Sequence, residues 1–164
     1  MIHLRAAVPG DVPLILRFIR ELAEYERAPE AAVATEEDLL RDGFGATPRF
    51  YVLIAEWEDA PAGFAFYFFQ YSTWTGRPVL YLEDLFVTPS HRSKGIGVAL
   101  MKRLAREAIA NDCRRFQWSV LDWNAPSIAF YESLGAKVHR DWLAVRIDGD
   151  ALQMLAAGGD RADG

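Results

Sequence analysis

The chain has very little cysteine, no long apolar run and no excess of basic charge. Cys113 is the one cysteine among 164 residues, which excludes an internal disulfide and predicts a reducing, cytoplasmic location. No apolar run approaches the roughly 18 residues of a membrane span. The first residues, "MIHLRAAVPGD", lack the apolar stretch of a signal peptide, so no membrane partner is expected. The formal net charge of −5 argues against a nucleic-acid partner and suits a cationic substrate.

Metal-binding patterns are also missing from the sequence. His3, His91 and His139 are scattered, no metal-ligand spacing appears, and no metal is therefore expected. Hydrophobic residues make up 51% of the chain and charged residues 25%, which is typical of a globular protein with a core. We expect one domain over residues 2–155 and a disordered, glycine-rich tail over 156–164.

The hydrophobic pattern predicts strands and helices throughout this domain. Predicted strands cover residues 2–7, 49–57, 64–71, 79–88, 115–123 and 136–147. Predicted helices cover residues 11–26, 35–45, the stretch after the glycines to about 110, and 126–134. Asp11 and Thr35 are expected to cap the first two helices. Leu100, Leu104 and Ala108 form the apolar stripe of the third. This order predicts an α/β (α+β) domain with one mixed, largely antiparallel central sheet of about six to seven strands and helices on both faces.

A stretch with two glycines joins an apolar strand to a helix, in "PSHRSKGIGVAL" (89–100). The first N–H groups of a helix have no partner within the helix, and glycine lets an anion approach them closely. Arg92 would add a fixed positive charge. A plain helix start that happens to use glycine explains the motif equally well. The spacing is neither that of a P-loop nor that of a dinucleotide fingerprint.

Two carboxylates interrupt the apolar strand "VLYLEDLFV". Glu83 and Asp84 would be costly inside a sheet unless they were paired or used in chemistry. Period two predicts that they point to opposite faces, Glu83 with Tyr81 and Leu85 and Asp84 with Leu82 and Phe86. A salt bridge to an arginine is one explanation, and a carboxylate that attracts and deprotonates a cation in a cleft is the other.

A third motif, "WNAPSIAFYESLGA" (123–136), predicts a helix with Pro126 in its first turn. Ile128, Tyr131 and Leu134 share one face of that helix. Taken alone, a tyrosine such as Tyr131 is more often a core aromatic than a catalytic group.

The order of these motifs resembles the GNAT superfamily of acetyl-CoA-dependent N-acetyltransferases. Within it, the chain is most similar to the diamine (spermidine/spermine) group, which includes thialysine acetyltransferases. The matching segments are "ELAEYE" (21–26), "DLLRDGFG" (38–45), "YLEDLFV" (81–87), "KGIG" (94–97) and "WNAPSIAFY" (123–131). The resemblance implies acetyl-CoA as co-substrate, a small-molecule amine as acceptor, and a homodimer.

The resemblance also implies roles for individual positions. For the pantetheine arm and thioester of the coenzyme, it implies the backbone of Leu85, Phe86 and Val87. For the pyrophosphate, it implies Arg92, Ser93, Lys94, Gly95, Ile96, Gly97 and Val98. Further coenzyme contacts would come from Asn124, Ala125, Pro126, Ser127 and the catalytic Tyr131. The implied acceptor residues are Tyr25, Glu26, Glu83, Gln117, Trp118 and Ser119.

The chemistry of amine acetylation agrees with these roles. An alkyl amine has a pKa of about 10.4 and arrives protonated, so it must lose a proton before it attacks a thioester. Glu83, directly or through water, would bind the ammonium group and take that proton. A strand N–H such as that of Leu85 would stabilise the charge that develops on the carbonyl oxygen. Tyr131 would protonate the departing thiolate, and no covalent enzyme intermediate is needed.

One segment departs from the group's pattern. Diamine enzymes of this type carry a more acidic segment where this chain has "HRDW", so Arg140 replaces an acid that would hold a second amine. This favours a smaller or zwitterionic amine over a polyamine. Two alternatives stay open: a GNAT enzyme for another acceptor, such as a protein amine or an antibiotic, and a non-catalytic acyl-CoA-binding module.

Overall fold

A computed structural model of the chain describes residues 1–158 and divides it into two compact units, Met1–Leu121 and a second unit from Asp122 onward. The strands are β1 (Ile2–Ala6), β2 (Tyr51–Trp57), β3 (Ala60–Ser72), β4 (Arg77–Val87) and β5 (Arg115–Trp118). The helices are α1 (Val12–Tyr25), α2 (Glu36–Phe44), α3 (Ile96–Ala110), α4 (Ala125–Ser133) and α5 (Gly149–Ala157). The first unit holds all five strands and helices α1 to α3.

The strands form one mixed sheet in the order β1-β2-β3-β4-β5. The first four pair in antiparallel fashion, and β5 lies parallel to β4 after the crossover through α3. The mixed, largely antiparallel sheet predicted from the sequence is confirmed, with five strands rather than six or seven.

Helices cover both faces of this sheet, as predicted. On one face, Ile15 and Phe18 of α1 pack with Ile54, Phe64 and Phe86 of the strands in a single apolar cluster. On the other face lies α3, whose predicted stripe of Leu100, Leu104 and Ala108 is buried. Because side chains alternate along a strand, the sheet supplies apolar residues to both layers.

A β-bulge interrupts the pairing of β3 with β4 at the two carboxylates. Phe66 lies opposite Asp84, and the next residue of β3, Tyr67, lies opposite Leu82, so that Glu83 is the extra residue. An extra residue shifts the alternation of side chains along the bulged strand. The prediction that Asp84 and Leu82 share a face is therefore wrong: Asp84 and Phe86 share the α1 face, and Leu82 lies on the other.

The second unit contains α4 and α5 but no strand within its described residues. The strand predicted over 136–147 is therefore wrong, because this unit offers no neighbouring strand for its backbone to pair with. β5 also ends at Trp118, earlier than the predicted residue 123. Helix α5, which the sequence analysis did not predict, includes Ala156 and Ala157 of the predicted tail. The rest of that tail, from 159 onward, lies outside the described residues.

Candidate active site

Three carboxyl groups of the first unit influence one another at the end of α1 and the bulge of β4. Burial, together with the charges of Glu83 and Glu26, raises the pKa of Asp84 to about 7. Burial and the charge of Glu83 also raise the pKa of Glu26, which directly follows α1. Glu83 itself is exposed. The bulge and the end of α1 thus bring together two predicted site residues and Asp84, which was not predicted as one.

The salt-bridge explanation for the strand carboxylates does not hold. Among residues 1–158, neither Glu83 nor Asp84 forms an ion pair with a basic side chain. A cluster of negative charge without a cationic partner is costly to maintain and attracts a cation from solution. The sequence indicated Asp84 only as one of two adjacent acids in an apolar strand. Strict alternation of side chains along that strand then assigned Asp84 to the wrong face.

The strand positions predicted for the thioester and pantetheine lie just beyond the bulge. Leu85, Phe86 and Val87 pair with Ala65, Phe64 and Gly63 of β3. The pairing of β4 with β5 covers only Val79 to Leu82. Within the first unit, the last part of β4 is therefore paired on one side only. Backbone groups on its other side are available to a ligand that runs along the strand.

The helix start after β4 has the geometry that an anion site requires. Gly95 precedes α3 with φ of +80°, a left-handed conformation that favours glycine, and no side chain caps the helix. The first hydrogen bond of the helix is donated by the Ala99 N–H to the carbonyl of Gly95. The first-turn N–H groups of Ile96, Gly97 and Val98 are thus available to an acceptor from outside the helix.

Two cations of this loop stack on aromatic rings. The guanidinium carbon of Arg92 lies 5.1 Å from the centroid of the Tyr25 ring, and Arg92 Nε donates a 3.2 Å hydrogen bond to the Val87 carbonyl. Lys94 Nζ lies 4.7 Å from the centroid of the Trp57 ring. The contact between Arg92 and Tyr25 joins a predicted coenzyme residue to a predicted acceptor residue.

The predicted acceptor residues at the end of β5 lie beside β4. Gln117 and Trp118 pair with Tyr81 and Leu82, and the hydroxyl groups of Tyr81 and Ser119 lie 3.0 Å apart. The Tyr81 ring packs on Phe68, with centroids 5.3 Å apart. Tyr81 was not predicted as a site residue, since an aromatic residue in a strand carries no functional signal by itself.

The remaining predicted residues belong to the second unit. Asn124 is buried, and its side chain accepts a 3.4 Å hydrogen bond from Ser127 N–H at the start of α4, with Pro126 in the first turn. Tyr131 lies on α4, half-buried, with its ring 5.4 Å from that of Phe130. Arg140 lies in the exposed segment that follows α4.

Over residues 1–158, no helix combines the length and the apolar character that crossing a bilayer needs. The same residues include no group of three or more His, Cys, Asp or Glu side chains placed to hold a metal ion.

Comparison with known proteins agrees with the fold. The model of the acetyltransferase (GNAT) family matches residues 15–136. The chain is 42% identical to a thialysine N-epsilon-acetyltransferase of Sus scrofa, over 93% of this chain and 96% of that protein. It is 47% identical to a spermidine/spermine N(1)-acetyltransferase-like protein 1 of Homo sapiens, over 82% of this chain but 20% of that protein. Among solved structures, an integron cassette protein of V. cholerae matches with a TM-score of 0.80 and 30% identity, over 96% of this chain and 98% of that one.

The chain belongs to the GNAT family of acetyltransferases. It is accordingly an N-acetyltransferase, and enzymes of this family use acetyl-CoA as co-substrate. The uncapped start of α3 and the half-paired end of β4 fit such a co-substrate, since one offers donors for phosphate oxygens and the other offers free strand backbone.

Proposed function

We propose that the protein transfers an acetyl group from acetyl-CoA to a primary amine of a small diamine, polyamine or amine-bearing amino acid. The observation that carries this proposal is the cluster of Glu26, Glu83 and Asp84, which has no cationic partner in the described chain. An ammonium group satisfies that cluster and has the chemistry of the acceptor that a GNAT enzyme needs.

The coenzyme in this proposal follows β4 and the start of α3. Backbone N–H groups from Gly95 to Val98 hold the pyrophosphate, with Arg92, Ser93 and Lys94 beside them. Leu85, Phe86 and Val87 hold the pantetheine and thioester, and Asn124, Ala125, Pro126 and Ser127 contact the coenzyme further along. The left-handed Gly95 and the absence of a side-chain cap support the pyrophosphate position.

Deprotonation of the acceptor is assigned to the strand carboxylates. The ammonium group binds at Glu26 and Glu83. Around it lie Tyr25, the β5 residues Gln117 and Trp118, and Ser119, which directly follows β5. A group with a pKa of about 7, such as Asp84, is half ionised at neutral pH and is suited to accept a proton and to release it again. The proton passes from the ammonium to Glu83 or Asp84, and the neutral amine attacks the thioester carbonyl carbon.

Two further groups complete the reaction. The N–H of Leu85 stabilises the oxygen of the tetrahedral intermediate as its charge develops. Tyr131 donates its phenolic proton to the departing thiolate, which carries the electron pair of the broken carbon–sulfur bond, and the resulting phenolate takes the remaining extra proton from the acetylated nitrogen. The enzyme forms no covalent bond to the acetyl group in this scheme.

Arg140 favours an amino acid over a polyamine as the acceptor. An arginine here pairs with a carboxylate and repels a second ammonium group. The 42% identity with a protein named for thialysine supports an amino-acid acceptor, and the similarity to a spermidine/spermine-like protein supports a polyamine. The other acceptors, a protein amine or an antibiotic, and a non-catalytic acyl-CoA module are the competing possibilities.

A homodimer is part of the proposal. The segment after α4 exposes large apolar side chains, with Leu143 at 85% and Val145 at 95% exposure, and such a surface is typical of one that a partner covers. We expect Val145→Asp to lower the molar mass in light scattering, whereas Val33→Asp, at an exposed site outside this segment, leaves it unchanged.

A cytoplasmic location is also part of the proposal, and it rests on the single cysteine.

Turnover of acetyl-CoA against a panel of acceptors tests the function. The panel includes ornithine, lysine, thialysine, putrescine, spermidine, an aminoglycoside and a peptide with a free N-terminus. Turnover with amino acids or di- and polyamines supports the proposal. Turnover confined to the aminoglycoside or peptide would replace it, and binding of acetyl-CoA without turnover of any amine would favour the non-catalytic module.

A further inference from the structure

The side chain of Arg92 lies between two predicted binding regions of the first unit, the acceptor residues at the end of α1 and the pyrophosphate residues at the start of α3. The Arg92 guanidinium is stacked on the Tyr25 ring at 5.1 Å and is also held through the 3.2 Å bond from its Nε to the Val87 carbonyl. Tyr25 ends α1 and directly precedes Glu26 of the carboxylate cluster. Arg92 precedes the Gly95 helix start by three residues. The same side chain therefore touches the acceptor region and borders the pyrophosphate region.

The guanidinium of Arg92 shares a cleft with Glu21 and Glu24 but forms an ion pair with neither. It forms no ion pair among residues 1–158. Arg92 and Tyr25 line an open cleft of about 500 Å³, together with Glu21, Glu24, Phe86 and Pro89. Exposed charges interact over about 8–10 Å at physiological salt, so a guanidinium at Tyr25 opposes an ammonium group that enters beside Glu26. It also occupies a face of the ring that would otherwise attract that ammonium.

We propose that Arg92 couples the two binding sites. When the pyrophosphate of CoA neutralises the guanidinium or draws it from Tyr25, the repulsion ends and a cationic acceptor binds more tightly. By linkage, a bound acceptor strengthens CoA binding by the same factor. Tyr25 is then a positioning residue, because its ring holds the cation beside the acceptor cleft. This inference rests on the proposed function and adds that the two substrates of that reaction bind cooperatively.

Calorimetric titration measures the coupling directly. Ornithine and spermidine are each titrated into the protein with and without saturating CoA, which permits no turnover. We expect CoA to tighten acceptor binding of the wild-type protein about five- to tenfold. Arg92→Gln should reduce this factor below about twofold, and Arg92→Lys, which keeps the charge, should retain most of it. Tyr25→Leu should bind CoA like the wild type and lose the coupling.

Lys94→Gln is the matched control. Lys94 is a cation of the same loop, but it stacks on Trp57 rather than on Tyr25. Its loss should weaken CoA binding and leave the coupling factor unchanged. Wild-type binding of both ligands without coupling overturns the inference. So does full coupling in Tyr25→Leu, a variant that decides the question even if Arg92→Gln no longer binds CoA. A wild-type protein that binds CoA but neither amine would instead contradict the choice of acceptor in the proposed function.

Discussion

Asp84 lies directly opposite Phe66 across β3 and β4, on the face of the sheet that carries α1. It reaches this face only because Glu83 is the extra residue of the bulge. Without the bulge, Asp84 would lie with Leu82 in the layer beneath α3. A single inserted residue thus converts two adjacent acids from opposite faces into one cluster with Glu26.

The raised pKa of Asp84, about 7 against a reference of 3.8, predicts a stability effect. The folded protein binds this proton more tightly than the unfolded chain. Protonated Asp84 therefore contributes to the free energy of unfolding, and this contribution is fully present below about pH 4 and is lost as the pH rises through 7. We expect Asp84→Asn to remove this loss. Its melting temperature should exceed that of the wild type at pH 8 by more than it does at pH 5. Glu30→Gln, at an exposed site, is the control, and an equal difference at both pH values would contradict the assignment.

Glu26 and Glu83 are expected to act on different kinetic constants. A charge-assisted hydrogen bond contributes about 1.5–3 kcal/mol, so Glu26→Gln should raise the amine KM about ten- to a hundredfold with little change in kcat. Glu83→Gln should also lower kcat and flatten the alkaline limb of the pH–rate profile, because a proton acceptor is lost. Steady-state kinetics over pH 6–10 provides the comparison. Equal effects of the two variants on both constants would contradict this division.

Patterns local to one element predicted most of the fold. Thr35 caps α2 through a 3.2 Å bond from Asp38 N–H, and Leu100 and Leu104 are buried on α3, both as expected. Asp11 occupies the N-cap position of α1 as expected, but its side chain makes no capping bond to that helix and pairs with Arg5 at 2.7 Å. A capping bond joins a side chain to N–H groups only two or three residues further on, so the local sequence predicts it. Pairing with Arg5 depends on how β1 packs against α1, which the sequence does not reveal.

Features that depend on partners were harder to predict. The segment 136–147 alternates in polarity like a strand, but a strand forms only where another strand pairs with it. The bulge at Glu83 likewise depends on the register of β3. The position of Asp84 in the cluster therefore could not follow from its own strand alone. The glycine motif lies at the start of α3, as its local sequence predicted, and its role at the pyrophosphate stays a prediction.

Substitutions at Gly97 test the pyrophosphate position. This residue lies in the first turn of α3, where alanine and valine are both compatible with helix. Gly97→Ala should weaken acetyl-CoA binding slightly and Gly97→Val more than about tenfold, because a branched side chain keeps the phosphate from the N–H groups. Calorimetry measures the affinities, and circular dichroism verifies the fold. A folded Gly97→Val variant with wild-type affinity for acetyl-CoA would show that the pyrophosphate does not bind at this turn.

Tyr131 is tested by removal of its hydroxyl group alone. Tyr131→Phe keeps the ring that packs with Phe130, so the fold and coenzyme affinity should persist. If Tyr131 protonates the thiolate, turnover should fall about 10²–10⁴-fold. Single-turnover kinetics with saturating acetyl-CoA measures the chemical step, and Tyr71→Phe, at an exposed tyrosine of β3, is the control. An unchanged rate would return Tyr131 to a packing role.

Arg140 is expected to choose between the two acceptor classes. If its guanidinium pairs with the carboxylate of an amino acid, Arg140→Glu should lower kcat/KM for ornithine or lysine by about tenfold or more, since one charge-assisted hydrogen bond is replaced by repulsion. The same change should raise kcat/KM for spermidine, because the new carboxylate attracts a second ammonium group. Arg146→Glu, also in the exposed segment after α4, controls for the change in net charge. If kcat/KM changed in the same direction for both acceptors, or if Arg146→Glu had an equal effect, Arg140 would not select the acceptor. Polyamines would then be as well supported as amino acids as substrates.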